Sequence, residues 1–403
     1  MKFASRILEI KPSPTLAITA LANSKKNQGI DVLDFSSGEP DFDTPQFIKD
    51  AAIDAINDGK TKYTPAGGIL QLKKAVISKL KRDNNLDYNI DEVTINCGGK
   101  HSFYNLMQVL FDEGDEIIVP APYWVSYPSM ISLAGSKPVI LPTTESTGFK
   151  ITPEMLTNAI NSKTRAVIIN SPSNPTGSAY TEKELLNLAE VFKKHNIFIL
   201  SDDIYEKILY DNFKHHNIAE LVPELKPKTI IINAVSKTYA MTGWRIGYIA
   251  CDKEIIKVVE TLQSQSTSNP TSISQYAATA ALTGDQTVLN DMISAFTKRR
   301  EIIVNGLNEI PGFSCKKPDG AFYAFPSIKD IYSFPGWTKV EQEYSDESNS
   351  SKLSSYLLKE AKVAVVPGIA FGIEDYIRLS FATSDDKIIE GIERIKNAIN
   401  ALL

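Results

Sequence analysis

Lys237 stands just past an apolar run, Ile230 to Ile232, in the stretch TIIINAVSKTYAMTGWRIGYIA at 229–250. The run is short enough to be a buried strand, and Ser236 and Lys237 mark where it turns polar. A lysine held against buried surface loses part of the hydration of its ammonium. Neighbouring positive charge acts the same way, so the pKa falls and the amine can serve as nucleophile and base. Arg245, eight positions on, would supply that charge and could also grip a phosphate as a planar fork. A second apolar run, Ile246 to Ala250, reads as another strand. The ordinary alternative is a surface lysine and arginine on a loop between strands, which is the reading the pair taken alone favours and the rest of the chain must overturn.

Such a lysine needs a scaffold. VTIN at 93–96, EIIVP at 116–120, PVIL at 138–141, RAVIIN at 165–170 and IFILSDD at 197–203 read as strands, each followed by helical or turn segments. That alternation predicts an α/β fold with a doubly wound, mostly parallel sheet. Ligands of such sheets collect outside the strand carboxyl ends. Asn174, Asp202, Tyr205 and Lys237 are therefore expected to converge, although they are scattered in sequence. Lysine, arginine and apolar strands in this order suit a Schiff base with pyridoxal phosphate (PLP).

Before the sheet, KPSPT at 11–15 forms a Pro-punctuated arm, and Pro45 precedes the helical pattern FIKDAAIDAIN. Beyond about residue 290 the pattern changes to a long helix, strand-like GAFYAFP, VAVVPG and DYIRLSFA, and a closing amphipathic helix. The expected division is 1–45 as N-terminal arm and part of a small domain, 46–290 as a large cofactor-binding domain, and 291–403 as a smaller α+β domain. The Ser- and Glu-rich segment 331–352 reads as a solvated, mobile excursion.

At 403 residues, 43% hydrophobic and 23% charged, the chain has the make-up of a globular protein with a large core. Forty-three basic and 48 acidic residues give a net charge of −5 with no basic block, which argues against nucleic acid or an anionic membrane surface as partner. Cys97, Cys251 and Cys315 are too few and too far apart for a disulfide framework or a metal site. A reducing, cytoplasmic setting is expected. No apolar stretch is long enough for a membrane span, and TLAITALA at 15–22 lacks a cleavage signal.

The stretches SSGEPDFDTP, GKTKYTPAGG, NCGGKHSFYNL, PAPYWVSYP, NSPSNPTG, SDDIYEKI, SKTYAMTGWRIGY, SQSTSNPTSISQ, GAFY, VAVVPG and IRLSFA run through nearly the whole chain. In that order they resemble the class I aminotransferases of PLP fold type I, and most of all the bacterial aspartate aminotransferase branch that includes aspartate/prephenate aminotransferases. The resemblance implies a role for each candidate. Lys237 would be the Schiff-base lysine and proton carrier, and Asp202, rather than neighbouring Asp203, the partner of the pyridine nitrogen. Tyr205 and Asn174 would hydrogen-bond the ring oxygen, and Trp124 would stack on the ring. Gly99, Lys100, Ser236 and Arg245 would hold the phosphate, joined by Tyr63 from a neighbouring subunit of a homodimer. Arg378 would clamp the substrate α-carboxylate near Gly38. Lys100, Lys11, Ser13 and Thr15 are candidates for a second substrate carboxylate.

Each of these residues has a structural alternative, such as a core tryptophan, an Asn-Pro turn or a surface ion pair. The chain departs from the family in two ways. No motif matches the distal-carboxylate arginine of the animal-type enzymes, and 331–352 looks longer than is usual for the branch. The expected activity is amino transfer between aspartate or glutamate and 2-oxo acids, with prephenate as a further acceptor. A PLP lyase or synthase on the same fold, and a non-catalytic PLP-binding regulator, are the rival readings.

Overall fold

Every residue of the strand Thr229–Ala234 is buried. Successive side chains leave on opposite faces, as the two-residue period of a strand requires. Ile230 and Ile232 pack with Phe103, Leu106 and Met107 of one helix and Ile256 and Val259 of another. Ile199 and Val167, on neighbouring strands, face the other way, onto Leu185, Leu188 and Phe192. A sheet with both faces apolar must be covered by helices on both sides, which is why its strands read as near-continuous apolar runs.

The chain is described here from a computed structural model covering residues 3–8 and 10–403. Its seven-stranded central sheet runs in the order Val93–Asn96, Gly247–Ala250, Thr229–Ala234, Phe198–Asp202, Thr164–Asn170, Glu116–Ala121 and Lys137–Pro142. Gly247–Ala250 is antiparallel to both its neighbours, and the other pairings are parallel. The doubly wound α/β fold expected from the sequence is therefore present. Register sets the site: Asn170 pairs with Asp202, and Asp202 with Ile232, so three strands end at one level. The turns that follow open onto a common crevice.

The C-terminal part packs the helix Leu289–Asn308 against the closing helix Asp385–Asn400. Beside them lies a three-stranded antiparallel sheet of Val366–Pro367, Ile377–Ser380 and Tyr323–Ala324. The stretch VAVVPG is divided between two sheets, because Val363–Ala364 pairs instead with Leu33–Asp34 from the N-terminal region. Only Tyr323–Ala324 of GAFYAFP joins a ladder.

One expectation is overturned. Residues 331–352 are not a solvated loop: Trp337–Glu343 is a helix, and Asn349–Tyr356 is another. Trp337, Val340, Leu353 and Leu357 are buried in the main core. These residues lie at helical spacings of three and four within each segment, a weak amphipathic signal that the Ser and Glu content masked.

Candidate active site

The strand Thr229–Ala234 ends in a single helical turn, Val235–Thr238, which carries Lys237 into a cavity of about 310 Å³. The amine of Lys237 donates to the carbonyl of Gly38 at 2.5 Å. Burial pulls its pKa down to about 8, with Arg245, Arg378 and Lys100 adding to the effect and Glu39 opposing it. Gly38 itself sits tightly, since a Cβ there would lie 3.1 Å from the Tyr323 hydroxyl.

Asp202, at the end of the neighbouring strand, is buried and lines the same cavity. Burial pushes its carboxyl up to about 6, against hydrogen bonds from Tyr127 and from the backbone of Ile204. The Tyr127 hydroxyl donates to Oδ2 at 2.5 Å and the Ile204 amide to Oδ1 at 3.3 Å. Asp203 points elsewhere, accepting from Ser201 and Asn217, so the structure puts Asp202 and not Asp203 at the cavity. Tyr205 follows in a turn, its hydroxyl 2.7 Å from that of Tyr323. That turn is anchored by Glu206, which burial would raise but which paired Lys79 and Asn84 hold at about 2.

Arg378 is 2% exposed, and it makes no salt bridge among the described residues. Its guanidinium donates to Asn174 Oδ1 at 2.9 Å and to the Ser36 carbonyl at 2.7 Å, while Nε has no partner. It lies over the Tyr323 ring, 4.5 Å from the centroid. Burial lowers its pKa. A buried guanidinium without a counter-ion is costly unless an anion completes it. This argues against the surface-ion-pair alternative, and the geometry suits a planar fork for a carboxylate.

At the other end, the helix Gly99–Leu110 starts from Gly98 at φ +92. The backbone amides of Gly99 and Lys100 find no partner among the described residues, as expected at a helix start. A Cβ at Gly98 would fall 2.4 Å from Arg245 Nη2, and one at Gly247 would fall 2.5 Å from the Gly98 carbonyl carbon. Arg245 is held against this cradle by the carbonyls of Thr242 and Cys97, at 2.9 and 3.3 Å. Free amides at a helix N-terminus, a guanidinium and Ser236 make a cradle that fits a phosphate. Lys100 extends over the Trp124 ring, 5.2 Å from its centroid, and burial followed by Arg245 lowers its pKa. Although the whole chain is anionic, the cavity gathers Lys100, Lys237, Arg245 and Arg378 against Asp202, a balance that attracts anions.

The cavity thus brings together nearly every residue singled out from the sequence, including Ser13 and Thr15 of the arm. Two do not line it. Tyr63 is 90% exposed on its loop, and Lys11 is exposed to solvent. Sequence reasoning assigned no role to Tyr127, Asn170, Thr242 or Tyr323, all of which line the cavity. Tyr127 and Tyr323 lay inside the motifs PYWVSYP and GAFY. Nothing in the sequence alone could pair them with Asp202 and Tyr205, which are far away along the chain.

The family described as aminotransferase class I and II matches residues 30–395. An aspartate aminotransferase of Geobacillus stearothermophilus is 52% identical over 401 residues, covering 100% of both chains. An aspartate/prephenate aminotransferase of Nitrosomonas europaea is 48% identical, over 99% of this chain and 100% of its own. Among solved structures, an aspartate aminotransferase from Rhizobium meliloti superposes with a TM-score of 0.95 at 44% identity, over 100% of both chains. The Thermus thermophilus aspartate aminotransferase with maleate gives a TM-score of 0.91 at 37% identity, over 99% of this chain and 100% of that one.

Proposed function

We propose that this chain, which belongs to the class I and II aminotransferases, is a PLP-dependent enzyme that moves an amino group between aspartate or glutamate and 2-oxo acids, prephenate being a further acceptor. One observation carries the reading. A lysine of lowered pKa, a buried carboxylate and a buried arginine that makes no salt bridge among the described residues converge on one cavity, beside a helix N-terminus and a second arginine suited to a phosphate.

The residues fit the cofactor. Gly99, Lys100, Ser236 and Arg245 would hold its phosphate, and Trp124 would cover its ring. Asn174 and Tyr205 would donate to the ring oxygen, and Asp202 would face the ring nitrogen. When bound, PLP supplies an electron sink for charge developing at the substrate Cα. Asp202 keeps a proton on the ring nitrogen by pairing with it. Arg378 binds the substrate α-carboxylate as a fork and so fixes the direction of the Cα–H bond. Lys237, whose pKa of about 8 lies near neutrality, takes the proton from Cα and returns it on the far side of the exchange. Lys100, with Ser13 and Thr15, is the candidate holder of a second carboxylate, because an ammonium's donors rotate to suit acceptors of different length. Lys11, outside the cavity, would contribute only if the arm moves.

We also assign the divisions 1–45, 46–290 and 291–403 to arm, large domain and small domain. A cytoplasmic homodimer fits the reading, and among the described residues no helix is long and apolar enough to cross a membrane.

The test is a pair of measurements on purified protein. Borohydride reduction after PLP uptake should fix the cofactor on Lys237, and aspartate with 2-oxoglutarate should yield glutamate. No glutamate from that pair, with pyruvate and ammonia released instead from an amino acid that carries a β-thiol or thioether leaving group, would establish the lyase reading. Failure to take up PLP would remove both.

A further inference from the structure

We propose that Tyr127 is a positioning residue for Asp202: its buried hydroxyl aims the carboxylate at the cavity and keeps it ionised toward the group it faces. The proposal rests on the PLP reading and adds to it a residue that acts through Asp202.

Tyr127 lies on the helix Ser126–Leu133 and is 1% exposed. Its ring is gripped on two sides, by Phe103 at 4.8 Å and edge-on by Trp124 at 5.2 Å, so the hydroxyl has one place to be. Its hydrogen-bond partner there is Asp202 Oδ2, at 2.5 Å. An ionised carboxylate only accepts, so the phenol must donate. Such charge-assisted bonds are short and stronger than neutral ones. With the Ile204 amide on Oδ1, each oxygen has one internal donor, which fixes the carboxylate plane. The rest of its acceptor capacity is left for the cavity that both residues line.

The groups facing Asp202 are Tyr127 from its helix, Lys237 from the turn after the next strand, Tyr205 from the following turn and Asp203 beside it. Burial and Asp203 favour the protonated acid; Tyr127, the Ile204 amide and Lys237 favour the carboxylate. Burial and Asp202 itself hold the phenol well above its ordinary pKa, so it stays a donor across the working range. Trp124 fixes the Tyr127 ring and also covers the cavity, which ties the ring-stacking residue to the carboxylate through one side chain.

The experiment follows the Asp202 carboxyl by carbon NMR in the cofactor-free protein, assigned with Asp202→Asn, against Tyr127→Phe. Phe keeps the packed ring and removes only the donor. The midpoint should rise by roughly one to two pH units, the effect of losing one hydrogen bond to a charged group. PLP affinity and kcat should fall while the KM for aspartate changes little. An unchanged midpoint overturns the proposal. Phe103→Leu loosens the same ring and spares the hydroxyl, so an equal shift there would reduce Tyr127 to packing. If Tyr127→Phe does not fold, 3-fluorotyrosine placed at 127 gives a more acidic donor. The midpoint must then fall, and no shift overturns the proposal. Wild-type protein that binds no PLP would defeat the functional reading, yet the carboxyl titration would still decide the role of Tyr127.

Discussion

Asp202 is ionised at neutral pH although burial raises its pKa from 3.8 to about 6. Between those values the unfolded chain has lost the proton and the folded chain keeps it, so this group makes stability fall as pH rises through that window. The cost is full above about pH 6 and absent below about 4. Lys237 mirrors it: its pKa drops from 10.5 to about 8, so its cost is full below about pH 8 and disappears as pH rises toward 10.5. Both groups weaken the cofactor-free fold at neutral pH, as expected where charge is kept for function. Cofactor-free Asp202→Asn should therefore be more stable than wild type at pH 7, by about 1–3 kcal/mol. The gain should vanish by pH 4. Urea denaturation at the two pH values measures it, and a loss of stability at pH 7 would show that Asp202 holds the fold together.

The same logic extends to elements. Three parallel strands end in register, and the turn after each delivers one polar group: Asn174, Tyr205 and Lys237. The anion cradle is packed so closely that a Cβ at Gly247 would meet the Gly98 and Gly99 backbone, and one at Gly98 would meet the Arg245 guanidinium. Gly98 also holds φ +92 with ψ 162, a region that essentially only glycine adopts and that costs an L side chain about 1–3 kcal/mol. Gly98→Ala should therefore displace Arg245 and weaken PLP binding at least about tenfold, one lost charge-assisted hydrogen bond being worth that much. The protein should remain folded, with far-ultraviolet circular dichroism unchanged. PLP titration of the cofactor-free protein is the measurement, and wild-type affinity would remove the cradle from the phosphate. The helices at 331–352 belong to this scale too. Glu341 and Glu343 face solvent, while Trp337 and Val340 bury against the core and Ser350 and Ser354 are buried with them.

At the scale of the molecule, Tyr63 is the residue that a single chain does not explain. An aromatic side chain 90% exposed, on a loop outside its own cavity, is what an interface residue looks like before its partner arrives. If Tyr63 completes the cradle of a second subunit, an inactive Lys237→Ala chain mixed with an inactive Tyr63→Phe chain should regain activity. In each heterodimer one site then has both residues intact, so up to about a quarter of wild-type activity returns at equal mixing. Subunit exchange is verified by mass; exchange without recovery would mean that each site is built from one chain.

The sequence by itself determined the alternation of strands and helices, because burial on both faces of a parallel sheet writes unbroken apolar runs such as Ile230 to Ile232. It also determined the chemistry-bearing residues at strand exits, since Lys237, Asp202 and Asn174 each follow such a run within a few positions. Motif order supplied Arg378 and Trp124, whose local surroundings say little. Tertiary structure decided what depends on distance through space. Asp202 rather than Asp203 faces the cavity because the strand alternates. Tyr127 and Tyr323 reach their partners across 75 and 118 positions of chain, a separation no local pattern encodes. Arg378 makes no salt bridge among the described residues because the fold buries it against Asn174, the Ser36 carbonyl and the Tyr323 ring, and that placement, more than any motif, supports the proposal that a carboxylate is its ligand.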